Sequence, residues 1–304
     1  MDPSALALLE LGRALQRAGY QFVTPTPETH RRVVSRYERA RCLRDVFGWS
    51  LPFSRALLPP QLFELLVRAD AVCERGSEYV ATVRFASLGG SLYLHSAYPT
   101  IASDAVFFGP DSYRFCAFIE REASAAHTVV DIGCGSGVGG LVAARAAQAE
   151  RLVLVDINAR ALSYAAVNVQ LAGRTQATEL LQSDLLAQVT GELDLIVANP
   201  PYMRDQAARA YRDGGGNYGE ALSVRIVRES LARLRPGGTL LLYTGAAVVD
   251  GEDVFWHAIR ELLHGSAHAY VELDPDVFGE ELDRPGYERV ERIAAVGLRV
   301  RKGS

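Results

Sequence analysis

Residues 128–156 limit the fold of this chain more than any other segment. Thr128–Ile132 is a short apolar run that predicts a buried strand, and five glycines follow it within residues 133–140. An alanine-rich helix and a second apolar strand, Arg151–Asp156, come next. This order predicts a βαβ unit, and the glycines would let a ligand approach the backbone of the turn closely. We therefore expect a parallel sheet with a ligand site at the ends of its strands.

The turn Asn199-Pro200-Pro201-Tyr202 directly follows another apolar run, residues 193–198. Two prolines fix φ and remove two backbone donors, so the turn offers carbonyl acceptors with little competing N–H. We expect the Asn199 side-chain oxygen and the Pro200 carbonyl to accept both protons of one planar NH₂ group, which Pro201 and Tyr202 would contact. Two acceptors would localise the lone pair of an amide or amine nitrogen. The turn therefore suits a nitrogen that is about to be alkylated.

Acidic residues stand at the ends of three predicted strands. Asp156 ends the second strand, where such folds hold a ribose diol. Asp184 follows a third strand, in a position to meet an adenine amine. Asp131 precedes the glycines, where a carboxylate would repel a pyrophosphate but suit an ammonium group beside a sulfonium. The alternative for Asp131 and Asp156 is a local turn or helix-cap hydrogen bond.

The order of these segments resembles that of class I S-adenosylmethionine-dependent methyltransferases. With the 199–202 turn included, the chain resembles the amino-methylating branch: release factor glutamine methyltransferases, adenine-amine methyltransferases and ribosomal guanine-amine enzymes. Residues 108–113, 212–219 and, loosely, 286–289 resemble further segments of the first group. The resemblance implies S-adenosylmethionine as the cofactor and Asn199, Pro200 and Tyr202 as catalytic residues. It implies cofactor contacts from Phe108, Asp131, Gly133, Cys134, Gly135, Ser136, Gly137, Asp156, Ile157, Asn158, Ser183, Asp184, Leu185 and Asn199.

Several alternatives stay open at this point. A protein glutamine is the first expectation for the acceptor, a nucleobase amine of rRNA, tRNA or DNA is the second, and a small metabolite is the third. A nicotinamide enzyme is a rival because Gly135, Gly137 and Gly140 fit the dinucleotide fingerprint, although the Asp131 carboxylate argues against it. A non-catalytic binding module is a further alternative, and the intact 199–202 turn argues against that one.

The composition limits the classes of binding partner and the cellular compartment that we expect for this chain. The net charge of −4 lacks the basic footprint of a general nucleic-acid binder. A local arginine cluster within residues 31–44 fits either a solvated helix face or a contact for RNA or an acidic partner. The cysteines Cys42, Cys73, Cys116 and Cys134 have neither metal nor disulfide spacing, so we expect a reducing, cytoplasmic setting and no metal. No apolar run is long enough for a membrane span.

The chain is expected to form two domains in an α/β fold. Residues 105–304 would form a doubly wound, seven-stranded sheet, with a helix over 219–234, a strand over 239–243 and a closing antiparallel hairpin from residues 271–273 and 291–300. Residues 1–104 would form a smaller α+β, winged-helix-like domain. Its predicted elements are a helix capped by Ser4, a helix from Glu28 to near Gly48, a helix from Pro60, and a hairpin of residues 79–85 and 91–98. This domain would serve packing and homodimer formation, or substrate selection.

Overall fold

The computed structural model describes residues 1–174, 177–205 and 211–303. The chain divides into two compact units. The first comprises Met1–Tyr113, Gly135–Val138 and Ala159–Gln176, and the second comprises Arg114–Cys134, Gly139–Asn158 and Ala177–Ser304. The division at residue 104 that the sequence suggests remains a prediction. No helix in the described ranges combines the length and the apolar character that crossing a membrane requires.

The first unit begins with four α-helices: α1 (Pro3–Arg17), α2 (Pro27–Val34), α3 (Leu43–Phe47) and α4 (Pro60–Arg68). Asp2, and not Ser4, caps α1, because the Asp2 carboxylate accepts the Ala5 N–H at 2.8 Å. The Ser4 hydroxyl instead donates to the Ala69 carbonyl oxygen at 2.7 Å. The predicted cap residue was therefore wrong by two positions.

The expectation of one helix from Glu28 to near Gly48 is also wrong. The α2 helix ends at Val34, and α3 is a separate short helix. After Val34 the Ser35 hydroxyl donates to the Arg32 carbonyl oxygen at 3.0 Å. Local side-chain bonds of this kind compete with the helical backbone bonds.

Two hairpins follow in place of the single predicted one. Strands β1 (Val72–Arg75) and β2 (Glu78–Ala81) form the first, and β3 (Val83–Leu88) and β4 (Ser91–Ser96) form the second. Residues 79–81 therefore pair with β1, whereas only residues from Val83 onward pair with β4. The pairing changes at Thr82, whose N–H donates to the Ala71 carbonyl oxygen. The helix α7 (Ala159–Leu171) contributes buried residues to the same core.

The second unit is built on one mixed sheet. Its strands run in the order β11-β12-β9-β8-β5-β6-β7, and the two-residue strand β10 pairs with β9. This path of seven strands confirms the predicted α/β fold class. The bounds are β5 (Thr128–Ile132), β6 (Arg151–Asp156), β7 (Thr178–Gln182), β8 (Leu193–Ala198), β9 (Leu234–Val249), β10 (Glu252–Asp253), β11 (Ala267–Asp274) and β12 (Val290–Arg301).

The strand order places the two informative turns at neighbouring strand ends. Strands β5, β6 and β7 extend the sheet in one direction, and β8 returns to the other side of β5. The order therefore reverses between β5 and β8, which pair in parallel with Ile132 opposite Ala198. In open α/β sheets, ligands bind outside the carboxyl ends of the strands at such a switch point. The glycine turn follows β5 and the 199–202 turn follows β8 at this place.

The remaining helices are α5 (Pro110–Glu122), α6 (Val138–Ala146), α8 (Ala221–Arg233) and α9 (Val254–Ile259). The α8 helix is two residues shorter at its start than predicted, and β9 begins at Leu234 instead of residue 239. One apolar core joins the sheet to α8 and α9, with fully buried side chains that include Ile196, Val227, Leu240, Leu242, Phe255, Ile259 and Leu298.

Candidate active site at the ends of β5 and β8

The glycine turn after β5 has space where side chains would otherwise stand. Gly133 and Gly135 have φ of +66° and +52°, and a Cβ built on either would meet no atom within 4 Å. Gly137 has φ of +77°. Positive φ is the reason why glycine suits these positions. The turn thus presents backbone, uncovered by side chains, at the predicted cofactor position.

Gly140, the last glycine of the turn, is required for a different reason. A Cβ on Gly140 would lie 2.4 Å from Leu154 Cδ2 and 3.2 Å from Asp131 Oδ2. The Gly140 N–H donates to that same Asp131 oxygen at 2.7 Å. The start of α6 can approach Asp131 this closely only because Gly140 carries no side chain.

Asp131 is a buried carboxyl, 1% exposed. Its pKa is raised to about 8, chiefly by burial; the Gly140 N–H bond opposes this rise, and the negative charge of Asp156 adds to it. A bound cationic group would favour the ionised form. The hydrogen bond from the Gly140 N–H is also the local turn bond that we expected as the alternative role of Asp131. Asp131 therefore fixes the turn with or without a bound ligand.

The thiol of Cys134 is buried in the same turn, and burial raises its pKa well above the ordinary value. Such a thiol stays protonated and unreactive. The Cys134 N–H donates to the Val155 carbonyl oxygen, which joins the turn to β6. Cys134 is accordingly a small packing residue.

The predicted residues after β6 and β7 lie together in the second unit. Asp156 is 9% exposed, and its carboxylate accepts the Asn158 N–H at 2.8 Å. The Ser183 N–H donates to the Asp156 carbonyl oxygen, and Gln182 donates to the Ile157 carbonyl oxygen. These bonds connect the end of β6 to the end of β7. Asp156 thus makes the turn bond expected as the alternative, and its ribose role remains a prediction.

Asp184 and Leu185 have contrasting surroundings. The Asp184 side chain is 56% exposed and forms an ion pair with Arg225 at 2.8 Å. An adenine amine would therefore have to compete with Arg225 for that carboxylate. Leu185 is buried in the core of the second unit with φ of +46°. The predicted cofactor contacts of both residues remain predictions.

Asn199 and Pro200 lie directly beyond the last residue of β8. Asn199 is half-buried. Within the described residues, no protein group forms a hydrogen bond with its side chain or with the Pro200 carbonyl oxygen. A half-buried amide beside an uncommitted carbonyl leaves acceptor capacity for a bound group. The expected role of this pair in holding an NH₂ group remains a prediction.

The ring of Tyr202 is less accessible than the sequence suggests. It is 7% exposed, and one edge lies so close to Gly245 of β9 that a Cβ there would be 2.2 Å from Tyr202 Cδ2. Phe278 packs edge-on to it with the ring centroids 6.2 Å apart. The structure thus gives Tyr202 a packing role, and its stacking on a substrate remains a prediction.

The glycine-rich residues 212–219 fold back onto the 199–202 turn. The Met203 N–H donates to the Arg212 carbonyl oxygen, and the Gly214 N–H donates to the Met203 carbonyl oxygen. A Cβ on Gly214 would lie 2.7 Å from the Pro201 oxygen, and one on Gly219 would lie 2.1 Å from the Tyr202 oxygen. These glycines allow the two backbone segments to touch, which fixes the shape of the turn.

Sequence reasoning missed a buried ionic cluster behind this turn. Glu281 is 2% exposed and forms ion pairs with Arg212 and, at 3.0 Å, with Arg284. Asp205, 7% exposed, lies 3.7 Å from the same Arg212. Its members are distant in sequence, and an isolated acid or arginine gives no signal of such pairing.

The remaining predicted residues belong to the first unit. Phe108 is 2% exposed, and its ring stacks on His95 with the centroids 5.3 Å apart. The Ser136 carbonyl oxygen accepts a bond from the Asn168 amide at 2.8 Å, which fixes residues 135–138 to α7. The structure shows Phe108 as a core aromatic of this unit, and its predicted cofactor contact remains a prediction.

Three comparisons with known proteins show what this chain is similar to. Residues 116–248 match the family model of the methyltransferase small domain. The release factor glutamine methyltransferase of Moorella thermoacetica is 31% identical over 189 residues, which is 58% of this chain and 64% of that protein. The ribosomal RNA small subunit methyltransferase C of Chromohalobacter salexigens is 37% identical over 123 residues, 40% of this chain and 32% of that protein.

The chain thus spans between about a third and two thirds of the curated relatives it matches. Among solved structures, the tRNA m1G37 methyltransferase of M. jannaschii superposes with a TM-score of 0.51 at 17% identity, covering 73% of this chain and 57% of that one. A likeness at that identity shows the fold alone. These similarities support the predicted cofactor, S-adenosylmethionine, and the predicted enzyme class. The chain has the fold of class I methyltransferases, its residues 116–248 match the methyltransferase small domain, and it resembles the release factor glutamine methyltransferases.

Proposed function

We propose that the protein methylates a planar amide or amino nitrogen, and that its first acceptor is a protein glutamine side chain. The observation that carries the proposal is the uncommitted pair of acceptors, the Asn199 amide oxygen and the Pro200 carbonyl, at the switch point of the sheet. The relative from Moorella thermoacetica, which bears a glutamine methyltransferase name, supports this acceptor.

The residues of the site would act mainly by positioning. When bound, S-adenosylmethionine supplies an electrophilic methyl group on a positively charged sulfur. Asn199 and Pro200 would hold both N–H groups of the acceptor and so fix the direction of the nitrogen lone pair. Alignment of two reactants can contribute about 7–11 kcal/mol to lowering a barrier. A dedicated base is not needed, since a methylated nitrogen loses its extra proton readily.

The cofactor side of the site has matching chemistry. Asp131 and Asp156 place two buried or nearly buried carboxyl groups beside the uncovered glycine backbone. A carboxylate favours an ammonium group, and a strand-terminal acid suits a ribose diol. We assign the first role to Asp131 and the second to Asp156.

A nucleobase amine is the second candidate, and a cavity in the first unit favours it. This cavity of about 440 Å³ is lined by two arginines, Arg41 and Arg44, and by aromatic rings that include Tyr37 and Trp49. Arginines with aromatic rings are the combination that binds single-stranded nucleic acid. The relative from Chromohalobacter salexigens, which bears an rRNA methyltransferase name, agrees with this candidate.

The test of the chemistry is Asn199→Ala, with the exposed Gln61→Ala as the matched loss of a surface amide. We expect N199A to lose methyl transfer by at least a hundredfold and to bind S-adenosylmethionine within about threefold of the wild type. Q61A should match the wild type in both. Unchanged turnover of N199A would refute the proposed site.

The test of the acceptor uses labelled cofactor and fractionated lysate, with and without ribonuclease. Label in protein that resists ribonuclease supports glutamine, and mass spectrometry then locates the methyl group. Label that ribonuclease removes supports a nucleobase. In that second case the double variant R41M/R44M should lower transfer to RNA while leaving cofactor affinity unchanged.

A further inference from the structure

The first unit contains a buried arginine without a counter-charge. Arg84 on β3 is 4% exposed and forms no ion pair with any described residue. Its Nε and Nη2 atoms make no hydrogen bond within the described residues. The guanidinium lies over the Phe22 ring, 5.2 Å from the centroid. Buried cations are strongly unfavourable unless they are paired, so this group is suited to an acceptor that the described residues do not supply.

The two uncommitted nitrogens form one edge of the guanidinium group. Nε–H and the neighbouring Nη2–H point in parallel, and this fork matches two oxygens of a single carboxylate or phosphate. The Arg84 geometry therefore points to an oxyanion more than to scattered water molecules.

His95 lies beside Arg84 on the same face of the hairpin. The two residues are direct partners in the β3–β4 register. His95 is 1% exposed, and its Nδ1 lies 3.0 Å from the Ser96 carbonyl oxygen, while Nε2 makes no hydrogen bond in the part of the chain that the structure describes. A carbonyl oxygen only accepts, so Nδ1 carries the proton and donates.

The charge state of His95 decides what Nε2 can bind. Burial lowers the pKa of His95 well below its ordinary value, and the charge of Arg84 lowers it further. The ring is accordingly neutral, and its Nε2 is a buried acceptor that requires a donor.

His30 adds a third group of the same kind. It is 4% exposed, its Nδ1 makes no hydrogen bond to any residue that the structure describes, and its ring packs on Tyr98 with the centroids 4.3 Å apart. Burial lowers the pKa of His30 to about 4, and the charge of Arg84 contributes. A second neutral imidazole can donate or accept, according to its tautomer.

We infer that Arg84, His95 and His30 form a binding site for a phosphate group in the first unit. The Arg84 fork would hold two phosphate oxygens, and His95 Nε2 would accept the proton of a P–OH group. A carboxylate satisfies the fork but offers no donor to His95, and sulfate likewise carries no proton at neutral pH. The inference does not depend on methyl transfer, because its groups all belong to the first unit.

Calorimetric titration of the full chain at pH 6.5 tests this site, with inorganic phosphate, sulfate, acetate and phosphoserine as probes. We expect phosphate to bind with one site per chain, and sulfate and acetate to bind at least tenfold more weakly. Binding of phosphoserine would identify a phosphate monoester as the ligand, and binding of inorganic phosphate alone would identify the free ion. No binding of either phosphate probe, or equal binding of phosphate and sulfate, would overturn the inference.

Variants distinguish phosphate binding at this site from a general effect of removing a positive charge. Arg84→Met should abolish phosphate binding, and Arg36→Met, which removes an exposed arginine, should leave it unchanged. His95→Phe keeps a planar ring and removes the Nε2 acceptor, so the preference for phosphate over sulfate should fall at least fivefold. If R84M does not fold, the selectivity of the wild type and of H95F decides. Retained phosphate preference in H95F would contradict the assignment.

Discussion

The backbone N–H of Arg204 donates a 2.8 Å hydrogen bond to the hydroxyl of Tyr287. Arg204 lies two residues beyond the 199–202 turn, and Tyr287 is a 2% exposed residue close to the start of β12. Gly286, with φ of +97°, leaves room beside it for the Arg204 guanidinium. The C-terminal part of the second unit thus holds the end of the turn that carries Asn199.

Tyr287→Phe removes this bond while keeping the ring. We expect a loss of about 1–2 kcal/mol in stability, because the Arg204 N–H is left without its partner. We also expect a lower kcat, because the turn is less well fixed. Tyr270→Phe is the control: it removes the 2.6 Å bond to Asp253 and should lower stability without changing kcat. Equal kcat values for the two variants would show that Tyr287 does not support the 199–202 turn.

Gly140→Ala should damage cofactor binding. The added methyl group would overlap Leu154 and press on Asp131, so α6 must move away from β5. We expect at least a tenfold weaker affinity for S-adenosylmethionine and a lower Tm. Gly279→Ala is the matched control, since its Cβ would meet no atom within 4 Å. Calorimetry and thermal unfolding of both variants measure the difference, and a G140A protein with wild-type affinity would exclude this packing argument.

Gly214→Ala should affect turnover more than cofactor binding. Its Cβ would lie 2.0 Å from the Gly219 oxygen and would separate residues 212–219 from the 199–202 turn. We expect kcat to fall at least tenfold, with cofactor affinity within about threefold of the wild type. Steady-state kinetics and calorimetry test this split. A variant that loses both equally would show that the segment supports the whole site.

Asp131→Asn should change how stability depends on pH. The folded-state pKa of Asp131 is raised to about 8, above the unfolded value of about 3.9. The folded protein therefore retains a proton that the unfolded chain releases, and this contribution to stability falls as pH rises from about 4 to 8. The asparagine oxygen can still accept the Gly140 N–H, so D131N should gain in Tm relative to the wild type across that range. Its affinity for S-adenosylmethionine should fall at least tenfold.

Asp194→Asn provides a control of opposite sign. Burial raises the pKa of Asp194, but the Thr128 N–H and Arg235 lower it overall. A lowered pKa stabilises the protein above the unfolded pKa, and this contribution is lost as pH falls. D194N should therefore be less stable than the wild type at neutral pH and approach it in acid. If the Tm values of D131N and D194N, each relative to the wild type, changed with pH in the same direction, both pKa assignments would be contradicted.

The sequence was sufficient to predict those parts of the candidate site that consist of residues close together in the chain. The glycine turn after β5 and the Asn199 turn after β8 are local patterns, and the alternating strands and helices fixed the sheet class. Tyr287 and Arg84 carry no such pattern, because their importance comes from partners far along the chain. Helix ends were also missed where one side chain decides them, as at Ser35.

The pairing of β5 with β8 has a consequence for how this protein can change. Ile132 stands opposite Ala198, so the glycine turn and the 199–202 turn share one hydrogen-bonded register. Inserting a single residue in β8 would move Asn199 by about 3.3 Å and turn its side chain to the opposite face. Such a chain could still fold around its apolar core and yet be inert, so loss of activity in natural or engineered variants need not signal misfolding.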